Sequence, residues 1–218
     1  NGELLKDGIE MSKDEFWQKM VNSRDEEDLK VKTSQPSPQD FLNAYNKLFE
    51  KGYKKIISIH PSSKLSGTVQ AARVGRSLTN REDDIELIDS MGGSLLQGIL
   101  VLEAAKKAVK KESFGEIINW INSYKNKGKL LMVIPDLKYL EKGGRIGKAG
   151  SAIAGMIQLK PILTVSQGEV TIEKKVIGER NAQKYIEKYI KDESKKQSLV
   201  VCTSWGGGPE ELENISKI

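Results

Sequence analysis

Pro61-Ser-Ser-Lys-Leu-Ser-Gly-Thr68 joins a strand to a helix, and that placement sets the class of fold. Lys55-Ile-Ile-Ser-Ile-His60 in front of it has the apolar, β-branched character of a buried strand, and Gly67 to Ser77 behind it carries a helix-compatible pattern. Four hydroxyls stand between the two, on Ser62, Ser63, Ser66 and Thr68, and Gly67 lets a ligand approach the backbone closely. The turn falls at the carboxyl end of its strand, where open α/β sheets place their ligands. Free N–H groups and the positive end of the helix dipole favour an anion there. A plainer reading fits the same residues, with Ser66 only an N-cap worth about 1 kcal/mol. The local pattern admits both.

Downstream, Ile85-Glu-Leu-Ile-Asp-Ser90 repeats the strand with a polar end, and Met91-Gly-Gly-Ser94 leads into a long helix from Leu95 to about Lys110. Ser113 with Glu116 forms a capping box for a helix carrying Ile117, Ile118, Trp120, Ile121 and Tyr124. Lys129-Leu-Leu-Met-Val-Ile-Pro135 reads as a third strand of the same sheet. Strand, helix, strand, helix, strand at this spacing predicts right-handed crossovers and a mainly parallel sheet flanked by helices. Upstream, Lys6-Asp-Gly8 belongs to a turn-rich entry, and Ser12 with Glu15 boxes in a helix that turns Phe16, Trp17, Met20 and Val21 inward. Charges from Arg24 to Asp28 end that helix. Thr33-Ser-Gln-Pro-Ser-Pro38 is an extended loop, since Gln35 and Ser37 each precede a proline. Ser37 then caps a helix whose first residue is Pro38, with Phe41, Leu42, Tyr45, Leu48 and Phe49 inward and Gly52 closing it.

At Asp136 the pattern changes. A short helix to Lys142 is stopped by Gly143-Gly144, and a helix of small and apolar residues runs from Ala149 to Leu159. Lys160 to Val165 and Glu169 to Lys174 flank Ser166-Gln-Gly168, the pattern of a hairpin. A helix from about Asn181 to Lys191, a strand through Cys202 and a helix after Pro209 follow. Antiparallel pairing after a parallel sheet predicts an α/β protein in two domains, residues 1–142 and a second α/β domain with antiparallel strands, 143–218.

Composition is that of an ordinary globular chain: 218 residues, 38% hydrophobic and 30% charged. The net charge of +5 raises nucleic acid as a partner, but the lysines fall in runs such as Lys106, Lys107, Lys110 and Lys111 without interleaved arginine or aromatics. Such runs are solvated faces, so no nucleic-acid partner is expected. Cys202 is the only cysteine and His60 the only histidine, which rules out an intramolecular disulfide and leaves a structural zinc site without ligands. No metal and no cofactor is expected. With no signal peptide or membrane-length apolar run, a cytoplasmic setting is the simplest expectation.

Three loops carry short hydroxyl side chains next to helix starts: Thr33 and Ser34, Ser66 and Thr68, and Ser90 and Ser94. Gathered on one rim without a strong base, they favour holding an anion over activating a nucleophile. A hydrolase using Ser66 needs a paired base, for which only His60 or Asp89 is at hand. Gly143-Gly-Arg-Ile-Gly147 lacks the ending of a phosphate loop, although Arg145 between glycines can come close to an anionic group.

Thr33-Ser-Gln-Pro-Ser-Pro38, Ser62-Ser-Lys-Leu-Ser-Gly-Thr68, Asp89-Ser90, Leu140-Glu-Lys-Gly-Gly-Arg-Ile-Gly147 and Lys160-Pro-Ile-Leu163 together resemble the ordered signature blocks of the DegV family, over nearly the whole chain. That resemblance implies a bacterial fatty-acid-binding protein, similar to the lipid-carrying subunit of fatty acid kinase. Such a subunit does no chemistry itself; it presents a carboxylate to a separate kinase that makes acyl phosphate for phospholipid synthesis. The resemblance implies a long-chain ligand of the palmitate, oleate or stearate class in an interdomain tunnel, a catalytic kinase subunit as partner, and room for transient contact with a membrane surface. It assigns Thr33 and Ser66 to the carboxylate, with the backbone at Gly67 and Thr68, and Arg145 to phosphoryl transfer or kinase docking. Ile153, Met156, Ile157 and Leu159 become tunnel-lining candidates, although each also reads as ordinary core. Members of that family open with a further strand and close with a histidine and glycine-rich stretch, so this sequence is expected to be part of a longer chain. The alternative is an enzyme acting on a small anionic substrate at the Ser66 and Arg145 rim.

Overall fold

The computed structural model describes Leu5 and residues 9–22, 32–134, 137–150 and 159–204. The chain divides into two units, Asn1–Ser34 and Gln35–Ile218. In the first, helix α1 (Lys13–Asn22) opens on the expected capping box: the Ser12 N–H donates to Glu15 at 2.8 Å and the Glu15 N–H to Ser12 Oγ at 3.2 Å. The readings at Lys6–Gly8 and Arg24–Asp28, and those on the side chains of Trp17, Met20 and Val21, lie outside the described residues.

In the second unit, Ser37 caps α2 (Pro38–Glu50) as its sequence indicates, and Asp40 at the third position completes a reciprocal box. Gly52 follows at φ 88°, a left-handed conformation that glycine adopts without a Cβ penalty. Strands β1 (Ile56–His60) and β2 (Ile85–Asp89) pair in parallel, Ile56 opposite Ile85 and His60 opposite Asp89. Because side chains alternate along a strand, the register sorts them onto two faces. Ile56, Ile85 and Leu87 pack with Phe41, Tyr45, Leu48 and Phe49 of α2. On the other face Ile57, Ile59 and Ile88 meet Ala104 of α4 (Ser94–Val109) and Ile117 and Ile121 of α5 (Phe114–Tyr124). Each such buried Ile contributes roughly 1.5–3 kcal/mol. Helix α3 (Thr68–Ser77) lies against α2, and a Cβ on Gly75 would stand 2.6 Å from Phe41 Cβ and 2.7 Å from the Pro38 carbonyl oxygen.

The expected third parallel strand is placed differently. Only Met132–Val133 is extended there, and this strand, β3, pairs antiparallel with β4 (Leu159–Ser166), Met132 opposite Leu163 and Val133 opposite Ile162. An apolar run states burial, not its neighbour, and Ile162 and Leu163, both fully buried, offer β3 a matching edge. The sheet order is β3-β4-β5, with β5 (Glu169–Ile177) joined to β4 by a two-residue turn. Gln167 and Gly168 both have positive φ, 51° and 80°, the type I′ geometry that matches strand twist. Leu159 therefore opens a strand instead of ending a helix. Helix α6 (Lys138–Lys142) stops at Gly143 as expected, and Gly144 turns at φ 70°. A third core gathers Ala149, Leu163 and Val170 with Leu65, Leu140 and Ile146.

Helix α7 (Glu179–Ser194) is longer than its sequence pattern suggests and packs on β4 and β5. The strand expected through Cys202 does not form among the described residues: residues 198–204 are irregular, Val200 is 78% exposed, and Cys202 is exposed where core packing was expected. Apolar character makes a strand only where a sheet edge takes it up. Pro135, Asp136, residues 151–158 and the helix expected after Pro209 lie outside the described residues. No helix among the described residues is long and apolar enough to cross a membrane.

Candidate functional site

The carboxyl ends of β1 and β2 lie side by side, and two loops leave from them. The Ser90 N–H donates to the His60 carbonyl at 3.0 Å, and the Ser62 N–H to the Gly92 carbonyl at 2.7 Å, so the loops are zipped together from their first residues. Within them the hydroxyls repeat one local device, accepting the N–H two residues on. Ser62 Oγ takes Lys64 at 3.2 Å, Ser66 Oγ takes Thr68 at 3.3 Å, and Ser90 Oγ takes Gly92 at 3.2 Å. Asp89 Oδ1 does the same with Met91 at 2.8 Å. These side-chain turns explain much of the hydroxyl content, since each fixes a tight bend without secondary structure.

Ser66 is not the N-cap of α3. The cap position is Gly67 and no side chain caps the helix. Ser66 Oγ instead shares a 2.6 Å hydrogen bond with Thr68 Oγ1, leaving two half-buried hydroxyls at an uncapped helix start. A Cβ on Gly67 would lie 2.9 Å from Gln35 Nε2, which places the Gln35 amide over this helix start as well. Arg145 reaches the same loop: its Nε donates to the Leu65 carbonyl at 3.2 Å and its Nη1 to the Gly143 carbonyl at 2.7 Å. A cation is thus fixed one residue before Ser66 from a segment eighty positions away.

The remaining candidates are placed less alike. Ser90 is fully buried and its hydroxyl is spent on the loop. Ser94 is exposed at the start of α4, at φ 52°, with no hydrogen-bond partner for its hydroxyl among the described residues. Thr33 and Ser34 belong to the Asn1–Ser34 unit, where both are exposed. Ile153, Met156 and Ile157 lie outside the described residues, as does the side chain of Leu159.

Neither group considered as a base for Ser66 bonds to it. His60 is 6% exposed; its Nε2 shares a 2.8 Å hydrogen bond with Ser58 Oγ, which meets the Tyr45 hydroxyl at 3.0 Å, and Phe41 packs edge-on against the imidazole. Burial lowers the His60 pKa from the ordinary histidine value, with the Asp89 charge pulling the other way, so the ring is neutral at pH 7. Asp89 spends both oxygens on backbone N–H groups, Oδ1 on Met91 and Oδ2 on Ser63 at 3.1 Å. Among the described residues no group of three His, Cys, Asp or Glu is placed to hold a metal ion.

Sequence reasoning missed two structural roles here. Ser62 Oγ donates to the Gly168 carbonyl at 2.8 Å, tying the tip of the β4–β5 hairpin to the rim loop across 106 positions. Asp89 joins both loops. An acidic residue at a strand end two positions before a turn is the readable sign of the second; nothing local signals the first.

An uncapped helix start, neighbouring hydroxyls and one fixed guanidinium give this α/β protein a rim suited to holding an anionic group. The chain belongs to the DegV family, whose model, described as "uncharacterised protein, DegV family", matches residues 1–217. Among curated relatives, a DegV domain-containing protein of Caldanaerobacter subterraneus is 35% identical over 88% of this chain and 66% of its own length, and one of Clostridium acetobutylicum is 38% identical over 78% and 60%. The chain therefore spans about two thirds or less of these relatives. A solved DegV family protein from Thermus thermophilus, described by its fatty acid binding, is 29% identical with a TM-score of 0.73 over 84% of this chain and 63% of that one. DegV from Bacillus subtilis, described as a fatty acid binding protein, is 28% identical with a TM-score of 0.72 over 86% and 65%.

Proposed function

We propose that this chain binds a long-chain fatty acid and carries it, without chemistry of its own, to a separate fatty acid kinase in the cytoplasm. The observation that carries the reading is the uncapped start of α3, where Ser66, Thr68 and the Gly67 backbone converge beside Arg145. A carboxylate held by neutral donors and one nearby cation keeps its charge and stays open to a phosphoryl donor. The relatives from Thermus thermophilus and Bacillus subtilis support a fatty acid as the ligand class. The acyl chain would leave the rim along Leu65 toward the core of Leu140, Ile146 and Leu163, between residues 35–142 and the 143–218 part. A role for Thr33 rests on the family resemblance, and one for Ser34 on its place in the same hydroxyl-bearing loop.

The enzyme alternative is weakened by the bonds of His60 and Asp89, which point both groups at other partners. Calorimetric titration with oleate separates the readings. Ser66→Ala combined with Thr68→Val is expected to weaken binding by about 1–3 kcal/mol through loss of charge-assisted hydrogen bonds. Unchanged affinity in a folded double variant removes these residues from the site.

A further inference from the structure

A carboxylate beside a site for an anion is electrostatically adverse, so Asp89 at this rim calls for a reason. The structure supplies one. Asp89 is half-buried at the end of β2, and its two oxygens serve two different loops: Oδ1 accepts the Met91 N–H at 2.8 Å, and Oδ2 the Ser63 N–H at 3.1 Å. The first bond is a local turn within two residues. The second crosses 26 positions into the turn that carries Ser66 and Thr68. That turn is also wound on itself, Leu65 and Ser66 both donating their N–H groups to the Ser62 carbonyl at 2.9 and 3.0 Å.

On the other side of Asp89 the backbone is strained. Met91 and Ser94, neither of them glycine, stand at φ 54° and 52°, a left-handed conformation that persists only where the surroundings impose it. The Asp89 bond to the Met91 N–H is one such constraint, and the Ser62 N–H on the Gly92 carbonyl is another. Beside that backbone bond, Asp89 is the side chain that ties the loop offering Ser66 to the loop offering Ser94.

We propose that Asp89 is the positioning residue of the rim: its carboxylate pins the 61–68 and 91–94 loops to each other and so holds the carboxylate-binding donors in register. The inference rests on the fatty-acid reading above. It also makes a counterintuitive demand, because removing a negative charge near a bound anion strengthens binding by Coulomb's law alone. If Asp89 positions the donors, neutralising it weakens binding instead.

Asp89→Asn is the natural probe. An asparagine keeps one carbonyl oxygen, enough for the local turn with Met91, and turns its NH2 toward the Ser63 N–H, donor against donor. Asp89→Ser is a second probe, since a serine also makes the local turn but is too short for Ser63. Both variants and the parent chain would be titrated with oleate and with oleyl alcohol, which shares the tail and lacks the charge. The parent is expected to prefer oleate. In each variant oleate affinity is expected to fall roughly tenfold while oleyl alcohol changes by less than about twofold, so the preference collapses.

A purely structural role for Asp89 lowers affinity for both ligands together, and a purely electrostatic one raises that for oleate; either result overturns the proposal. Failure of both variants to fold also overturns it, since Asp89 would then serve the fold and not the rim. A parent chain that binds neither ligand contradicts the fatty-acid reading itself, a result distinct from all of these.

Discussion

Gly168→Ala is expected to destabilise the protein by about 3 kcal/mol and to loosen the rim with it. Two effects combine. Gly168 sits at φ 80°, where a Cβ costs about 1–2 kcal/mol by itself. That Cβ would also be driven to within 2.4 Å of Ser62 Oγ, breaking the bond by which Ser62 holds the Gly168 carbonyl and leaving the O–H of a fully buried serine without its acceptor, worth a further 1 kcal/mol or so. Gly52 is a control within the same chain: it stands at φ 88° in the left-handed conformation after α2, with open space for 4 Å around the place a methyl would take, so Gly52→Ala carries the backbone cost alone. Thermal or urea unfolding of the two variants isolates the contact. Equal losses would mean that the hairpin tip does not bear on the Ser62 loop.

The second large effect is expected at Gly75, where α3 rests on α2. A methyl there meets Phe41 Cβ at 2.6 Å, the Pro38 carbonyl at 2.7 Å and the Leu42 nitrogen at 3.1 Å, two of the three being backbone that yields only if the helices part. Gly75→Ala is expected to cost about 3 kcal/mol by overpacking. Gly98 is also helical, in α4, with open space around it, and Gly98→Ala is expected to gain up to about 1 kcal/mol from helix propensity. Opposite signs for one substitution in two helices check the packing by equilibrium unfolding; a gain at both positions would contradict the close approach that seats α3, and with it the helix start at Ser66.

Local chemistry made many elements readable. The capping boxes at Ser12, Ser37 and Ser113 depend on residues three apart, and the Gln167-Gly168 turn needs only two residues with positive φ. The two faces of β1 and β2 follow from strict alternation. Partner choice was not readable. Met132-Val133 is apolar enough for either sheet, and its pairing with Ile162 and Leu163 is decided thirty positions away. Cys202 failed for the same reason, an apolar run without an edge to join among the described residues.

At the candidate site the residue types were legible and their bonds were not. The hydroxyls of Ser62 and Ser90 go into building the loops, while those of Ser66 and Thr68 bond each other at the uncapped end of α3. Sequence marks them all alike, because a turn-forming serine and a ligand-holding serine are the same residue until the N–H groups around them are placed. Arg145 stands out in the sequence for its glycine neighbours, but its bond to the Leu65 carbonyl depends on how the residues after α6 fold back.

The most direct test of the central claim is mass spectrometry of the small molecules released when the protein, purified from a bacterial host, is denatured. A long-chain fatty acid at close to one per chain is the expected result. A protein that releases no lipid and fails to take up added oleate would contradict the assignment and return the Ser66 and Arg145 rim to some other anion.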